Sequence, residues 1–333
     1  MAPMMGGQPF RSAEGGAITS AATPSGSLNT REEALRRRRR VARWTAVAFV
    51  APLVIYLVLF YAYPLVENVV MSVRRFDRGT FVHGGAPFVG LDIYREVIAD
   101  PKFGRVVAQT AIFTIVSITF QYAIGLALAV FFHRGGFRLS VALRSMFLVP
   151  WLIPVIVSGT VWQWMMNPDN GVLNQFLGVF GVEPVWWLNA NNALMSVTIA
   201  NIWLGIPFNL VILYSGLQNI SSDLYEAAAI DGASPWQQFW RISLPLLRPV
   251  SAITLLLGLV YTLKVVDIIW IMSMGSGTSQ TLATWSYGMA FGKGASTVIR
   301  YSEASAVGTI LLVVALAFGL VYVALQRRQE DWT

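Results

Sequence analysis

The sequence contains no cysteine, which excludes disulfide bonds and thiolate metal ligands. It has only two histidines, His83 and His133, which lie far apart along the chain. A histidine-built metal site or a Ser–His–Asp triad is therefore not expected, and we predict neither catalytic nor metal-binding residues. The phosphate-binding pattern G-x-x-x-x-G-K-[ST] is also absent. Any ATP that this protein uses must therefore bind to another chain.

Charged residues are scarce as well. They make up 12% of the chain, whereas soluble domains carry about 25%. Hydrophobic residues make up 55% and the mean hydropathy is +0.58, so the composition indicates a membrane protein. The net charge of +7 is concentrated in a run from Arg36 to Arg40. Next to an apolar segment, such a run is expected to anchor the chain at a cytoplasmic lipid surface rather than to bind nucleic acid.

The first thirty residues are rich in Gly, Ala, Ser, Thr and Pro and lack periodic hydrophobicity. We predict a disordered basic cytoplasmic tail over residues 1–40 and a transmembrane domain over residues 41–333. The apolar stretch from Trp44 to Tyr63 is longer than the core of a signal peptide, and no A-x-A-like cleavage site follows it. We therefore interpret it as a retained transmembrane helix.

Six segments are long and apolar enough to span a membrane, which takes about 20 residues. Backbone groups in lipid must be satisfied within the segment, so each is predicted to be a helix. The predicted fold is thus an all-α membrane protein with six transmembrane helices, at roughly 44–70, 106–132, 141–165, 193–217, 247–271 and 304–325.

Basic residues in the short loops predict the orientation. They occur in the connection between spans two and three and at the C-terminus, whereas the loop with Asp169 and Glu183 has no Lys or Arg. Both termini and the polar insert Glu226–Pro249 are therefore predicted to be cytoplasmic. The first external loop fits this rule poorly, because it also carries Arg74, Arg75, Arg78, Arg95 and Lys102.

The polar insert EAAAIDGASPWQQFWRISLPLLRP has the start and stop signals of two short helices. Ser222 or Asp223 is predicted to cap the first, and Gly232 to end it in a left-handed conformation. Ser234, with Pro235 and Gln237 after it, predicts a second helix with a capping box, which Leu244-Pro245 would end. An amphipathic hairpin resting on lipid headgroups is one interpretation. The acidic first helix favours docking against another protein instead.

The insert also resembles a known motif. Glu226-Ala227-Ala228, Gly232 and Ile242-x-Leu244-Pro245 match the EAA motif of permease subunits of ATP-binding-cassette (ABC) importers at every fixed position. The resemblance extends over roughly residues 44–325, and is closest to the first permease subunit of the carbohydrate-uptake group that includes the maltose and glycerol-3-phosphate permeases. Further matching stretches are LVPWLIP from Leu148, WLGIP from Trp203, LQNI from Leu217 and DGA from Asp231.

The resemblance implies a type I ABC importer transmembrane domain whose insert, at about 221–241, is a pair of coupling helices seated on an ATPase. Glu226, Ala227, Ala228, Asp231 and Gly232 would form this contact. ATP and Mg would bind to the ATPase, and no cofactor to this chain. The implied partners are a second permease subunit, two ATPase subunits, an extracytoplasmic solute-binding protein and the lipid bilayer of a bacterial cell membrane, which the chain would cross several times.

The resemblance also implies a solute site made by three spans. The positions that correspond to the sugar site of the maltose permease are Trp151, Val155, Asn201, Leu204, Gly205, Phe208, Gly258, Tyr261, Thr262 and Val265. That permease has asparagines where Thr262 and Val265 stand, so the solute stays open between a disaccharide, a monosaccharide, a sugar alcohol and a glycerophosphodiester. Lys264 and Asp267, at helical i, i+3 spacing, are expected to form a structural ion pair.

The function predicted from these features is a permease subunit that lets a sugar or sugar-like solute enter the cytoplasm, driven by ATP hydrolysis on separate subunits. A secondary transporter driven by an ion gradient is the alternative, although neither an inverted repeat nor paired buried carboxylates is evident. A membrane-embedded enzyme would need titratable groups clustered at one depth, and the spans offer only scattered ones.

Overall fold

The structure is a computed structural model that describes residues 26–134, 140–292 and 299–330. Sixteen α-helices and no β-strand occur in these ranges, and the chain divides into two units between Pro64 and Leu65. The helices are α1 Gly26–Leu57, α2 Tyr63–Ser72, α3 Arg78–His83, α4 Asp92–Ala99, α5 Phe103–Arg134, α6 Ser140–Leu152, α7 Val155–Met165, α8 Val172–Val179, α9 Ala193–Gln218, α10 Ser222–Ile230, α11 Pro235–Gln238, α12 Leu244–Leu246, α13 Arg248–Leu263, α14 Asp267–Ser273, α15 Leu282–Phe291 and α16 Tyr301–Glu330.

Four helical runs are long and apolar enough to cross a membrane: Arg37–Ser72, Phe103–Arg134, Ala193–Gln218 and Tyr301–Ala324. Two bent pairs raise the number to six if each pair is one span. They are Val141–Leu152 with Val155–Met165, bent by 98°, and Pro235–Leu246 with Arg248–Leu263, bent by 66°. The all-α class of multi-pass membrane protein predicted from the sequence is confirmed.

The predicted disordered tail is too long at its C-terminal end. Helix α1 begins at Gly26, so residues 26–40 are helical, which the run of helix-favouring Glu, Ala, Leu and Arg from position 31 explains. Residues 1–25 of that tail lie outside the described residues, as does Arg138 of the loop between spans two and three.

Two spans predicted as single helices are broken. In the third span, α6 ends at Leu152 and α7 starts at Val155, because Pro154 has no amide hydrogen and forces the residue before it out of the helical conformation. In the fifth span, α13 ends at Leu263 and α14 begins at Asp267. No proline lies at this second break, which instead holds the β-branched pair Val265–Val266, whose side chains disfavour helix.

The second break also overturns the predicted ion pair. Salt bridges within 4 Å in the described part of the chain join Arg75 to Glu96, Arg95 to Asp92 and Arg300 to Glu303. Lys264 and Asp267 are not among them. The i, i+3 contact requires continuous helix, and the chain between these two residues is not helical.

Helices α5 and α9 pack along each other at the centre of the second unit. Their interface contains both polar residues and small residues. Gln121 of α5 donates a hydrogen bond of 2.9 Å from Nε2 to the backbone carbonyl of Asn201. Gly125 faces Asn209, and Gly205 faces the Gln121 carboxamide, so closely that no β-carbon fits at either glycine. Close approach through small residues is the usual way for membrane helices to pack.

The loop between the first two spans contains folded structure that pairs several of its charges. Helix α3 has a capping box between Asp77 and Thr80, and the hydrogen bonds from Thr80 lower the pKa of the Asp77 carboxyl. Two of the arginines that fitted the orientation rule poorly, Arg75 and Arg95, are paired with carboxylates.

The segment from Ser273 to Ser302, which is rich in Gly, Ser and Thr, contains helix α15. A capping box between Thr281 and Thr284 starts this helix, and Trp285 and Met289 bury it in a cluster with α4, the start of α5 and α16. Three of its Ser and Thr residues serve as caps or buried helix positions: Thr281, Thr284 and Ser279.

Candidate solute cavity and coupling helices

A cavity of about 440 Å³ lies among α5, α6, α7, α9, α13 and α14. Solute sites in proteins usually occupy roughly 300–1,000 Å³, so its size is appropriate for a small organic molecule. Its lining residues are Gln121, Pro150, Trp151, Ile153, Val155, Asn201, Leu204, Gly205, Phe208, Leu257, Gly258, Val260, Tyr261, Lys264, Val265, Asp267 and Ile268.

Both helix breaks face this cavity. Ile153 and Val155 flank the break at Pro154, and Lys264 and Val265 lie within the break of the fifth span. Non-helical backbone at membrane depth is tolerated where it lines a cavity. Broken spans of this kind build the solute sites of many transporters.

The structure brings nine of the ten predicted solute residues to the cavity. The exception is Thr262, which is buried and does not line it. The reason is helical geometry: residues are about 100° apart around a helix, so Leu257, Tyr261 and Lys264 share one face of α13 while Thr262 and Leu263 turn away. Whether the nine residues contact a solute stays a prediction.

One residue of the cavity wall has a buried amide nitrogen without a partner. Asn201 is buried, and its Nδ2 has no hydrogen-bond partner among the described residues. The backbone carbonyl of Asn201 accepts the hydrogen bond from Gln121, and this bond holds the two residues together. A buried amide nitrogen that lacks a partner is uncommon, and such groups generally bind a ligand or an ordered water molecule.

Aromatic rings form another part of the wall. The rings of Trp151 and Phe208 meet edge to face, with centroids 6.1 Å apart. Trp151 and Tyr261 are 56% and 59% exposed, so both offer open surface. The cavity thus combines flat aromatic surface with amide and charged groups.

Sequence reasoning missed part of the wall. Gln121 is a buried polar residue within a span, a signal that by itself marks candidate functional positions in membranes. Pro150 and Ile153 come with the helix break, which the proline at 154 could have indicated. Lys264 and Asp267 were placed in an ion pair and so were set apart from the site; both line the cavity.

The first helix of the polar insert ends as predicted. Gly232 has a φ of 80°, and the Ala233 amide donates to the Ala228 carbonyl at 2.8 Å while the Gly232 amide donates to that of Ala229 at 3.0 Å. This is a Schellman ending, which favours glycine at that position. The N-cap is Ser221, not Ser222 or Asp223 as predicted, because the chain is already helical at both.

The second helix of the insert has the predicted capping box of Ser234 and Gln237, with Pro235 at its first turn. It does not stop at Leu244-Pro245. A π-helical turn over Phe239–Ser243 leads into α12, and the Leu244 amide bonds to the Phe239 carbonyl. Such a wide turn accommodates Pro245, which has no amide hydrogen to donate.

The residues predicted for the ATPase contact are accessible. Glu226, Ala227, Asp231 and Gly232 are exposed, and Ala228 is half-buried. Beside them, Ile230 is 87% exposed, and Trp236 lies in an aromatic cluster with Phe239 and Trp240. No ion pair within 4 Å involves Glu226 in the described ranges.

Side-chain contacts tie the insert to the long helices. The Tyr225 hydroxyl bonds to that of Ser243 at 2.9 Å, and the ring of Tyr225 lies 6.1 Å from that of His133 at the end of α5. The next residue, Arg134, donates to the Pro235 carbonyl. Movement of the insert would therefore act directly on α5.

A family model described as "Binding-protein-dependent transport system inner membrane component" matches residues 121–332, more than half of the chain. The chain belongs to this family. The match covers α9, the polar insert and the broken fifth span. The carbohydrate-uptake resemblance noted in the sequence is confirmed at the level of the family.

Two curated relatives are named for their transport systems. The trehalose/maltose transport system permease protein MalF of Thermococcus litoralis is 33% identical over 287 residues, or 85% of this inner membrane component and 93% of the relative. The sn-glycerol-3-phosphate transport system permease protein UgpA of Escherichia coli is 33% identical over 233 residues, or 68% and 77%.

A solved structure shares the fold. The crystal structure of a bacterial ABC transporter involved in the import of the acidic polysaccharide alginate has a chain with a TM-score of 0.75 and 24% identity, covering 88% of this inner membrane component and 99% of that chain. This similarity confirms the predicted type I importer fold.

Among the described residues, no group of three His, Cys, Asp or Glu side chains could hold a metal ion.

The two cavity glycines Gly205 and Gly258 provide a matched test of the wall. A β-carbon at Gly205 would overlap the Gln121 carboxamide, whereas one at Gly258 meets nothing within 4 Å. We expect Gly205→Ala to displace Gln121 from Asn201 and to lower the free energy of unfolding by about 1–3 kcal/mol. Gly258→Ala should leave it unchanged or raise it slightly.

The measurement is the thermal unfolding midpoint of the purified protein in detergent. Equal midpoints for the two alanine variants would contradict the packing of Gln121 against Gly205.

Proposed function

We propose that this chain is the permease subunit of an ABC importer that translocates a sugar or sugar-like solute into the cytoplasm, driven by ATP hydrolysis on separate subunits. The observation that supports this most is the convergence of both helix breaks on one cavity. The proposal places the solute against Trp151, Val155, Asn201, Leu204, Gly205, Phe208, Gly258, Tyr261 and Val265, while Thr262 would support the wall from behind.

The chemistry of the cavity suits a sugar. The accessible rings of Trp151 and Tyr261 can cover the apolar face of a pyranose. The Nδ2 of Asn201 is buried and unpartnered, and a rotation of this side chain towards the cavity would let it donate to a hydroxyl. Sites that recognise small molecules combine mainly apolar walls with a few placed polar groups in this way. The trehalose/maltose system of the Thermococcus relative agrees with this class of solute.

The coupling helices would receive the force. The exposed Glu226 can pair with a basic residue of the ATPase, and the exposed Ile230 and Trp236 can fill apolar recesses beside it. Exposed apolar patches of this kind commonly mark protein interfaces. From His133, which contacts the insert, α5 runs about 18 Å to Gln121 at the cavity. A rigid helix of that length can carry a displacement from one site to the other.

The remaining parts of the proposal follow from this assignment. A second permease subunit would complete the membrane pathway, two ATPase subunits would bind ATP and Mg beneath it, and an extracytoplasmic solute-binding protein would deliver the solute. Both termini and the insert would face the cytoplasm of a bacterial cell. The tail would provide a basic surface for anionic lipid.

The tryptophan in the cavity tests the solute site. We expect Trp151→Ala to reduce uptake of the transported sugar at least about tenfold, because a buried aromatic contact is often worth 1.4 kcal/mol or more. Trp164→Ala is the matched control, because Trp164 lies on the neighbouring helix α7, is 80% exposed and does not line the cavity. Uptake is measured in proteoliposomes that contain the assembled importer, with radiolabelled trehalose and maltose as the first probes.

Equal uptake by both tryptophan variants would place the solute elsewhere. Uptake that continues without ATP and responds to an ion gradient would favour the secondary transporter instead.

The ending of α10 tests coupling. Gly232 and Gly181 both have positive φ, of 80° and 74°, and a β-carbon at either meets nothing within 4 Å. We expect Gly232→Val combined with Glu226→Lys to abolish most solute-stimulated ATP hydrolysis, because the variant distorts and recharges the docking surface. The matched control is Gly181→Val with Glu183→Lys, in the segment between α8 and α9.

Hydrolysis is measured on the purified complex, together with retention of the ATPase subunit on the immobilised permease. ATP hydrolysis at the same rate in both double variants would overturn the role of the insert.

A further inference from the structure

The cavity contains one positive and one negative side chain that are not paired with each other. Lys264 and Asp267 are the charged residues among its described lining positions, and both are exposed. Neither forms a salt bridge within 4 Å in the described ranges. The lining therefore has no net formal charge, although it contains two full charges.

Unpaired charges at the end of a transmembrane segment require an explanation. Such groups are costly in the membrane and generally face a cavity where they serve transport. At continuous helical spacing the two side chains would neutralise each other, but the break between α13 and α14 prevents this. Lys264 is the C-cap that follows the last residue of α13, and Asp267 is the first residue of α14. The break therefore keeps both groups available to a third partner.

The two groups are complementary to hydroxyls. The lysine ammonium can only donate hydrogen bonds, and the aspartate carboxylate can only accept them. A sugar hydroxyl can do both, so one hydroxyl can accept from Lys264 while another donates to Asp267.

A charged solute would fit this pair less well. A carboxylate or phosphate would be attracted by Lys264 but repelled by Asp267. A like charge across a desolvated contact is a strong device for rejecting wrong partners. The names of the relatives leave this question open, because one refers to trehalose and maltose and the other to sn-glycerol-3-phosphate.

We propose that Lys264 and Asp267 form a hydroxyl clamp that selects an uncharged polyhydroxy solute and rejects solutes that carry a carboxylate or a phosphate. Lys264 donates to the solute, and Asp267 both accepts from it and excludes anions. The inference rests on the proposed sugar-importer function, and it specifies the charge class of the solute.

The test measures direct binding of radiolabelled disaccharides to the purified complex in detergent, without the solute-binding protein, so that only the permease selects. The probes are maltose and trehalose, each compared with its derivative in which one CH₂OH is oxidised to a carboxylate. The variants are Asp267→Asn, Asp267→Glu and Lys264→Gln. Asp169→Asn and Lys102→Gln are matched controls, because both residues are exposed in loops and do not line the cavity.

We expect the wild-type complex to bind the neutral sugar about ten- to a hundredfold more tightly than its carboxylate derivative, the range of a hydrogen bond to a charged group. Asp267→Asn should remove most of this discrimination by improving binding of the derivative, and Asp267→Glu should restore it. Lys264→Gln should weaken binding of both probes. Elution of each variant as an intact complex on size exclusion shows that it has folded.

The outcomes separate the two proposals. If a neutral sugar binds but Asp267→Asn leaves the discrimination unchanged, or if the wild type prefers the carboxylate, the clamp is wrong while the importer function stands. If neither sugar nor its derivative binds to the wild type, the proposed sugar function fails and the clamp fails with it.

Discussion

Backbone hydrogen bonding in lipid is the constraint on which this structure depends. An amide or carbonyl without a partner is too costly in hydrocarbon, so a spanning chain remains helical unless protein or a cavity surrounds it. This chain interrupts two spans, at Ile153–Pro154 and at Lys264–Val266, and both interruptions line the same cavity. The positions of the breaks therefore locate the cavity independently of any resemblance to other permeases.

Two tightly packed or capped parts of the structure, the α5–α9 interface and the insert itself, connect the cavity with the insert's surface. At the α5–α9 interface, Gly125 and Gly205 let the helices approach until a single methyl group would not fit, so the two helices move as one body. At the insert, the Schellman ending at Gly232 and the capping box at Ser234 fix the angle between two short helices. His133 and Arg134 join these parts at the end of α5. A displacement of the insert can therefore reach Gln121 without requiring any flexible element.

Much of this architecture was predictable from the sequence, for identifiable reasons. The spans follow from hydropathy, and the caps at Gly232 and Ser234 follow from local rules that act within a few residues. Nine of the ten predicted solute residues line the cavity; they came from motif resemblance rather than from physical derivation, and their contact with a solute stays a prediction. The failures arose where tertiary structure decides: Thr262 faces away because of the rotation of α13, and Lys264 and Asp267 do not pair because the helix breaks.

The central claim is that the cavity is a solute site whose access is controlled by the coupling helices. Because the chain has no cysteine, one cysteine at Gly258 would be its single thiol, and a side chain there meets nothing within 4 Å. The measurement is the rate at which a membrane-impermeant maleimide labels Gly258→Cys in the assembled importer, with Gly178→Cys in the exposed helix α8 as the control. We expect the transported sugar to slow labelling at position 258. Trapping the ATPase with nucleotide should change the side of the membrane from which this thiol is labelled. Neither treatment should change labelling at position 178. Labelling at position 258 that ignores both sugar and nucleotide would contradict it.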